Sequence, residues 1–283
     1  MSTHSTPHAD SSLHDSERKF HDEWAASESA DGVEIDAAFE AMTAPENRFI
    51  LEILGNLRGK KLLDVGTGLG ESAIYFAKLG AEVTAVDISP KMIELCADNA
   101  KRHGVQLTTH VATGEGLGLP PDSFDIVYAA NLLHHIHDRD QFLGNMRQVL
   151  KPGGIFVAWD PIKYNPAINV YRRKATEVRT PDEMPLGMED MRRGKRFFPD
   201  LQHRSFWLTA MTLFLKYYFV DGKNPNRERY WKAILKETPG SIGWWFQPLQ
   251  AIDRALLRLP GVDMLAWNVV QWGTKPKSAK DSQ

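Results

Sequence analysis

This 283-residue chain has a single cysteine, few long apolar runs and a small net charge. A single cysteine, Cys96, excludes an internal disulfide and is typical of a reducing compartment. Residues 1–19 are rich in Ser, His and Asp and lack the apolar stretch of a secretory signal peptide, so we expect a disordered tail there. With 25% charged residues and a net charge of −2, the composition predicts a globular protein of the cytoplasm.

The small net charge conceals a basic, aromatic C-terminal end. From residue 201 onward the chain has 12 Lys and Arg against 6 Asp and Glu. Such a segment can contact anionic lipid head groups or a phosphorylated lipid substrate, which would make the protein peripheral to a membrane. Alternatively, its aromatic rings fill a core and the charges around them are solvated. The segment contains Trp207, Trp231, Trp244, Trp245, Trp267 and Trp272.

The most informative segment is a glycine turn within residues 62–70. An apolar run that contains Asp64 predicts a buried strand, and three glycines follow it at alternate positions. The next predicted strand ends in Asp87, where a carboxylate can accept hydrogen bonds from the two hydroxyls of a ribose. Together the two segments predict a binding site for a nucleoside-containing cofactor.

The spacing of the glycines indicates which cofactor this is. A dinucleotide fingerprint has the spacing G-x-G-x-x-G, whereas Gly66, Gly68 and Gly70 give G-x-G-x-G. Glu71 stands where the third dinucleotide glycine would be, and its charge would repel a pyrophosphate. Asp64, before the turn, suits a cationic ligand. S-Adenosylmethionine (SAM) has a ribose, a sulfonium and an ammonium group and no phosphate, so we expect SAM rather than NAD.

Three later segments, residues 119–127, 131–136 and 150–156, complete a set of four motifs. In this order the set resembles the class I SAM-dependent methyltransferases over about residues 48–160, and most nearly the group that includes the ubiquinone and menaquinone C-methyltransferases. The resemblance implies a Rossmann-like, doubly wound α/β sheet of seven strands whose last strand is antiparallel. It also implies that SAM is bound by Asp64, Gly66, Thr67, Gly68, Gly70, Asp87, Ile88, Thr113, Gly114, Glu115, Ala130 and Asn131.

One position departs from the family pattern. Family members often carry an acid after the third strand that binds the adenine amino group, and Thr113 occupies that place here. A hydroxyl or the neighbouring backbone could bind adenine instead, so the sequence leaves the adenine contact open.

The alternation of strand and helix patterns divides the chain into a cofactor-binding core and an acceptor side. After residue 160 the pattern changes, and a helical, aromatic-rich insertion is expected at about 210–263. Strands are predicted at about 61–65, 82–86, 106–111, 124–129, 154–159, 203–209 and 267–273. We expect one domain over 20–275, with its core at 48–160, an acceptor-side or lid region at 161–266 and a polar tail at 276–283.

Candidate catalytic groups follow the fourth and fifth predicted strands. His134, His135 or Asp160 could be the general base for an acceptor that must lose a proton. His135 could equally be a packing or capping residue. Adjacent histidines point apart on a helix or strand, and no Cys or Glu cluster accompanies them, so we expect no bound metal.

The function that these observations favour is methyl transfer from SAM to a small acceptor. The aromatic C-terminal region favours a hydrophobic or lipid-like acceptor, such as an isoprenoid, a quinone precursor, a polyketide or a lipid-linked group. A nucleic-acid acceptor is disfavoured, because residues 130–133 lack the Asn-Pro-Pro-Tyr-like motif that base-modifying members often carry. The alternatives are an NAD-linked oxidoreductase and a non-catalytic module that binds SAM.

Overall fold

The computed structural model describes residues 7–27, 35–175 and 183–277, which fold around one seven-stranded sheet. Its strand order is β3-β2-β1-β4-β5-β7-β6, and β7 runs antiparallel to both of its neighbours. The sheet confirms the predicted doubly wound α/β fold with an antiparallel last strand. The strands are β1 (Lys61–Val65), β2 (Glu82–Asp87), β3 (Thr108–Val111), β4 (Phe124–Ala130), β5 (Leu150–Pro161), β6 (Gln202–Phe206) and β7 (Asn268–Thr274).

Helices cover both faces of the sheet and form the insertion before β7. The buried apolar side chains accordingly form two large clusters, which include Phe76 and Tyr128 on one face and Phe142 and Phe156 on the other. The helices are α1 (Pro7–Ser27), α2 (Ile35–Glu40), α3 (Pro45–Leu54), α4 (Glu71–Lys78), α5 (Pro90–Arg102), α6 (Arg139–Val149), α7 (Pro166–Lys174), α8 (Met188–Phe197), α9 (Thr212–Phe219), α10 (Tyr230–Ala233) and α11 (Pro239–Leu256).

The helices that follow the parallel strands begin at residues suited to that role. The Ser89 side chain accepts a hydrogen bond from the Met92 backbone N–H at 3.0 Å, and Pro90 takes the first position of α5. The Asp138 carboxylate caps α6 in the same way, at 2.9 Å from the Gln141 nitrogen. These caps fix the strand-to-helix turns at the carboxyl edge of the sheet, where ligands bind in doubly wound folds.

The N-terminal segment differs from the expectation of disorder over residues 1–19. Residues 7–27 form helix α1, which packs against α5, while residues 1–6 lie outside the described part of the chain. The inward side of α1 is built from ionisable groups: His14 pairs with Glu115 and Glu17 with His135, while His21 pairs with Glu17 on the same helix. Apolar periodicity therefore predicts a helix only over Phe20 to Trp24 and misses the part before it.

The C-terminal strands also depart slightly from the predicted boundaries. Strand β6 ends at Phe206 rather than 209, because Trp207 adopts a left-handed backbone conformation with φ of 67°. The Asp253 carboxylate then accepts the backbone N–H groups of residues 208–210 at 2.6–3.2 Å, which holds the turn in place. The predicted insertion consists of α9, α10 and α11.

The tryptophans of the C-terminal end do not share one role. Trp207 and Trp267 are buried in the core, as the packing interpretation expects. Trp244 on α11 is instead 81% exposed. Within the described segments, none of the helices is both long enough and apolar enough to cross a membrane.

Candidate active site

A cavity of about 450 Å³ opens at the carboxyl edge of the parallel strands. Its walls come from the ends of β1, β2 and β4, from helices α1, α2 and α3, and from the turn after α10. Eleven of the twelve predicted SAM contacts line it, all except Gly70. One cavity thus joins the predicted cofactor residues to side chains from outside the motif-bearing core.

The glycine turn is shaped by two different requirements. Gly66, Gly68 and Gly70 have φ angles of 74°, 53° and 88°, a region that residues with a Cβ rarely adopt. A Cβ on Gly70 would lie 2.7 Å from the Sγ of Cys96, whereas a Cβ on Gly68 would meet only open space. Gly68 therefore leaves room for a ligand. Gly70 allows the turn to pack against α5, and its role as a cofactor contact stays a prediction.

Asp64 is a buried carboxyl group beneath the turn. Its Oδ2 accepts a hydrogen bond from the Thr67 hydroxyl at 2.8 Å. Burial, helped by the charges of Asp87 and Glu71, raises the pKa of Asp64 to about 7 against the effect of that hydrogen bond. An ammonium group placed beside Asp64 would stabilise its ionised form, so the site suits a cationic ligand.

Asp87 is held in place at the end of β2 before any ligand binds. Its Oδ2 accepts the Gly68 backbone N–H and its Oδ1 accepts the Ser89 backbone N–H, each at 2.9 Å. Burial raises the pKa of Asp87, and these backbone donors and His21 oppose the shift. Because a carboxylate has about four lone-pair sites, both oxygens keep capacity for the hydroxyls of a ribose.

The segment after β3 is held rigidly beside Asp87 and the neighbouring Ile88. The Asn145 side-chain amide donates to the carbonyls of Gly114 and Glu115, at 3.3 and 2.7 Å. A Cβ on Gly114 would lie 2.6 Å from a ring carbon of Phe142, so only glycine fits there. Thr113, at the position where the sequence left the adenine contact open, lines the cavity.

The end of β4 brings Ala130 and Asn131 to the opposite wall of the cavity. Asn131 has a φ of 50° and donates its backbone N–H to the Trp159 carbonyl at 2.8 Å. The left-handed conformation turns the chain sharply after the strand, into a short 3₁₀ turn at Leu133–His135.

Of the three candidate bases, only His135 lines the cavity. Its Nδ1 lies 3.2 Å from Oε1 of Glu17 on α1, whose Oε2 is 3.6 Å from Nε2 of His21. Burial opposes ionisation of Glu17, but the hydrogen bonds and charges of the two histidines outweigh it and hold its pKa well below the usual value. His135 therefore ties α1 to the cavity wall.

His134 and Asp160 lie behind the cavity wall and not in it. The His134 Nδ1 is 2.7 Å from Oδ1 of Asp160, which also accepts the His134 backbone N–H at 3.2 Å. Burial raises the pKa of Asp160 well above its usual value. Both side chains are buried outside the lining, where they anchor the turn after β4, and their role as general base stays a prediction.

The two neighbouring histidines do not point apart as expected. Their ring centroids are 4.1 Å apart, and with Glu183 they offer three possible ligand atoms within 4.8 Å of one another. The turn at Leu133–His135 is a 3₁₀ helix rather than a strand or α-helix, which explains the difference. The absence of a bound metal stays a prediction.

The sequence motifs did not predict the part of the cavity around Glu46, which we call the acceptor end. Its central polar residue is Glu46 on α3, whose Oε2 accepts the Trp207 Nε1–H at 3.0 Å and whose Oε1 accepts the Asn268 amide at 3.3 Å. Burial raises the pKa of Glu46 to about 7, although these donors and Arg48 oppose the shift. Aromatic and aliphatic walls surround it, formed by Phe39, Tyr128, Trp159, Ile234, Leu235 and Trp267.

Comparison with known proteins assigns the motif-bearing core. Residues 63–158 match the family model described as a methyltransferase domain. A demethylmenaquinone methyltransferase of Tropheryma whipplei is 37% identical over 110 residues, which are 39% of this chain and 45% of the relative. A ubiquinone biosynthesis O-methyltransferase of Xanthomonas euvesicatoria pv. vesicatoria is 36% identical over 99 residues, 35% of this chain and 41% of the relative. The match thus spans less than half the length of these curated relatives.

A solved structure extends the likeness of fold beyond the core. In the solved complex of the Haloferax volcanii Trm112 methyltransferase activator with a methyltransferase, one chain aligns with this protein at a TM-score of 0.58. The alignment covers 92% of this chain and 98% of that chain. The identity is 18%, so this likeness concerns the fold alone. The family match, the order of the motifs and the geometry of the glycine turn agree. Residues 63–158 are thus similar to a methyltransferase domain, and the cofactor that the site suits is S-adenosylmethionine.

Proposed function

We propose that the protein transfers a methyl group from SAM to a small, hydrophobic acceptor. The observation that carries this proposal is the single cavity that joins the glycine turn and Asp87 to the aromatic chamber around Glu46. A methyl donor and an acceptor must occupy adjoining space, and this cavity provides both parts. It is also large enough for small molecules, which typically bind in concave, largely apolar sites.

The residues present fit SAM and explain how they would hold it. Asp87 would bind the ribose hydroxyls, and Asp64 would bind the ammonium group of the methionine part. Glu71 also lines the cavity, and its negative charge disfavours a pyrophosphate there. The bound cofactor supplies an electrophilic methyl group on a sulfonium ion. The chain's own contribution is to position the reactants and to exclude water, which α1 favours by covering the cavity with His14, Glu17, His21 and Trp24.

Among the acceptor classes, a quinone precursor has the most support. The relatives from T. whipplei and X. euvesicatoria are named for menaquinone and ubiquinone methylation. The rings of Phe39, Trp159 and Trp267 at the acceptor end would pack against a planar aromatic ring. Isoprenoids, polyketides and lipid-linked groups should also be tested as acceptors.

Binding and turnover together test the proposal. Calorimetric titration with SAM, S-adenosylhomocysteine and NAD, side by side, should show SAM binding and no NAD binding. Transfer of tritium from labelled SAM should then be found with one or more members of an acceptor panel. Binding of NAD without SAM would favour an NAD-linked oxidoreductase. Tight SAM binding with no transfer to any acceptor would favour a non-catalytic SAM-binding module.

We also propose that the insertion brings the protein into peripheral contact with anionic membranes. In support, Phe219, Val220 and Trp244 are 75%, 77% and 81% exposed. They lie in the basic C-terminal segment, where exposed apolar side chains and positive charges together favour a lipid surface. A hydrophobic acceptor dissolved in the bilayer would then be near the cavity.

A further inference from the structure

The acceptor end of the cavity contains more hydrogen-bond acceptors than donors. Besides the two oxygens of Glu46, the side-chain oxygen of Asn47 is buried without any hydrogen-bond partner in the described segments, and both residues line the cavity. Asn268 lies outside the lining and donates its amide to Glu46. Two neighbouring residues of α3 thus present buried acceptor groups to the cavity.

The orientation of both amides is fixed by what their nitrogens bind. The Asn47 nitrogen donates to the Ala38 carbonyl at 2.5 Å, and the Asn268 nitrogen donates to Glu46 at 3.3 Å. Each amide oxygen must therefore point to the other side, where it stays unpaired. Nearly all buried polar groups in proteins have a partner, and an unpaired one is costly. The missing partner is a group that donates hydrogen bonds.

The surroundings indicate what carries that donor. Trp159 donates its own Nε1–H to the Tyr128 hydroxyl at 3.2 Å, so the exposed faces of these side chains offer an apolar, aromatic surface. Phe39 and Trp267 extend that surface. An aromatic ring that bears a hydroxyl group satisfies both requirements, since its ring packs on these walls and its hydroxyl reaches the acceptors.

We propose that Glu46 and Asn47 bind the hydroxyl of a phenolic acceptor, and that Glu46, held by Asn268, takes the proton when that oxygen is methylated. This inference rests on the proposed methyl transfer. The O–H bond breaks and its proton passes to the Glu46 carboxylate. The oxygen forms a bond to the methyl carbon, and the carbon–sulfur bond breaks with its electron pair left on sulfur. The products are an aryl methyl ether, S-adenosylhomocysteine and neutral Glu46, which then releases its proton to water.

The electrostatic setting of Glu46 suits this role. Trp207 and Asn268 donate to its two oxygens and so stabilise the carboxylate, while burial favours the neutral acid. Arg48 on the same helix is the charge that acts on it, and the neighbouring Tyr128 on β4 stays neutral because burial raises its pKa. The pKa of Glu46 is about 7, so both protonation states are accessible near neutral pH, as a general base requires.

A binding experiment tests the hydroxyl site without any need for turnover. The protein loaded with S-adenosylhomocysteine is titrated with 4-tert-butylphenol and with its methyl ether, which differs only at the hydroxyl. We expect the phenol to bind about 10-fold more tightly, in line with one hydrogen bond to a charged group. Glu46→Gln should abolish this preference. Glu52→Gln, on the exposed side of the same helix, should keep it. Equal affinity of the wild type for both probes would overturn the proposal.

Kinetics separate the proton transfer from the binding. With a phenolic acceptor, Glu46→Gln should lower kcat about 100-fold and remove the rise of activity through pH 7, while the affinity for S-adenosylhomocysteine stays within about 2-fold of wild type. Glu46→Asp should restore part of the rate. A Glu46→Gln protein with the wild-type rate and pH profile would overturn the role of Glu46. A wild type that binds SAM and the phenol but transfers no methyl group would refute the proposed function and leave the hydroxyl site standing.

Discussion

Asp87 is the residue on which cofactor affinity should depend most. Its carboxylate is already fixed by the backbone N–H groups of Gly68 and Ser89, so it meets the ribose without rearrangement. Asp87→Ala should weaken SAM binding by about 1–3 kcal/mol, because hydroxyls would lose a charged acceptor in a buried site. Calorimetric titration measures this. Asp98→Ala, on the exposed side of α5, is the control. An unchanged affinity in Asp87→Ala would show that the ribose lies elsewhere.

The buried carboxyl of Glu46 also makes the stability of the cofactor-free protein depend on pH. Its pKa is raised to about 7 in the folded state from 4.5, so folding favours the protonated form. The stabilisation from this group is full below pH 4.5 and is lost as the pH rises through 7. Glu17 has the opposite shift, and its effect lies below pH 4.5.

Glu46→Gln should therefore gain stability relative to wild type as the pH rises. Between pH 5 and pH 8 we expect the difference in the free energy of unfolding to change by up to roughly 3 kcal/mol. Urea denaturation at each pH measures it, with Glu52→Gln as the matched variant. Parallel pH profiles for wild type and Glu46→Gln would mean that Glu46 is not protonated in the folded protein.

At the scale of elements, α1 is a cover for the cofactor and not a free tail. Besides the contact of Glu17 with His135, the Trp24 ring lies 4.1 Å from the Arg229 guanidinium and 5.2 Å from the Lys232 ammonium. These cation–π contacts join the helix to the middle of the insertion, at α10. Each contact of this kind stabilises by about 0.5–2 kcal/mol.

Trp24→Ala should loosen α1 without unfolding the sheet. Hydrogen exchange of the backbone amides in residues 14–25 should become about 10-fold faster, while exchange in β1 and β4 stays unchanged. Mass spectrometry of exchanged peptides measures both. Arg18→Ala, which removes only an exposed contact with Asp15 on the same helix, should behave as wild type. Equal exchange in the two variants would mean that α1 is held by other contacts.

The sequence predicted the elements of the core better than those around it. The starts of β1, β2 and β4 were found because each is an apolar run that ends at a turn or a carboxylate. The part of α1 before Phe20 was missed because its inward side is ionisable. The predicted strand β6 extended too far, since nothing in the sequence shows the left-handed conformation of Trp207.

The acceptor end could not have been read from local patterns. Glu46 meets Trp207 and Asn268 across separations of 161 and 222 residues, and only the closed fold brings them together. The predicted SAM contacts, in contrast, follow their strands directly, so a motif could place them beside the cavity. Gly70 is the one that does not line it, because a glycine that allows packing and a glycine that admits a ligand look the same in a sequence.

For the molecule as a whole, the segment that matches the family model and the residues of the acceptor chamber come from different parts of the chain. The match covers residues 63–158, whereas Phe39, Glu46, Ile234 and Trp267 all lie outside it. Relatives can therefore share the cofactor site and differ in acceptor. We expect exchanges of substrate specificity to require changes in α2, α3 and the insertion.

Contact with a membrane is also a property of the whole molecule. The protein should float with vesicles that contain phosphatidylglycerol and should remain unbound with phosphatidylcholine alone, since both basic and apolar groups contribute. Replacing Phe219 and Trp244 together by Ser should weaken the association about 10-fold. Leu79→Ser, which alters an exposed apolar residue after α4, is the control. Absence of flotation with anionic vesicles would contradict peripheral contact.

The position of α1 has a consequence for the rate of turnover. The Ser89 hydroxyl donates to Asp22 at 2.5 Å, so α1 is fastened to the very loop that carries Asp87. If α1 must swing away before the spent cofactor leaves, release takes the microseconds to milliseconds typical of lid motions. We expect product release to be slower than chemistry, and a rapid first turnover to precede a slower steady state.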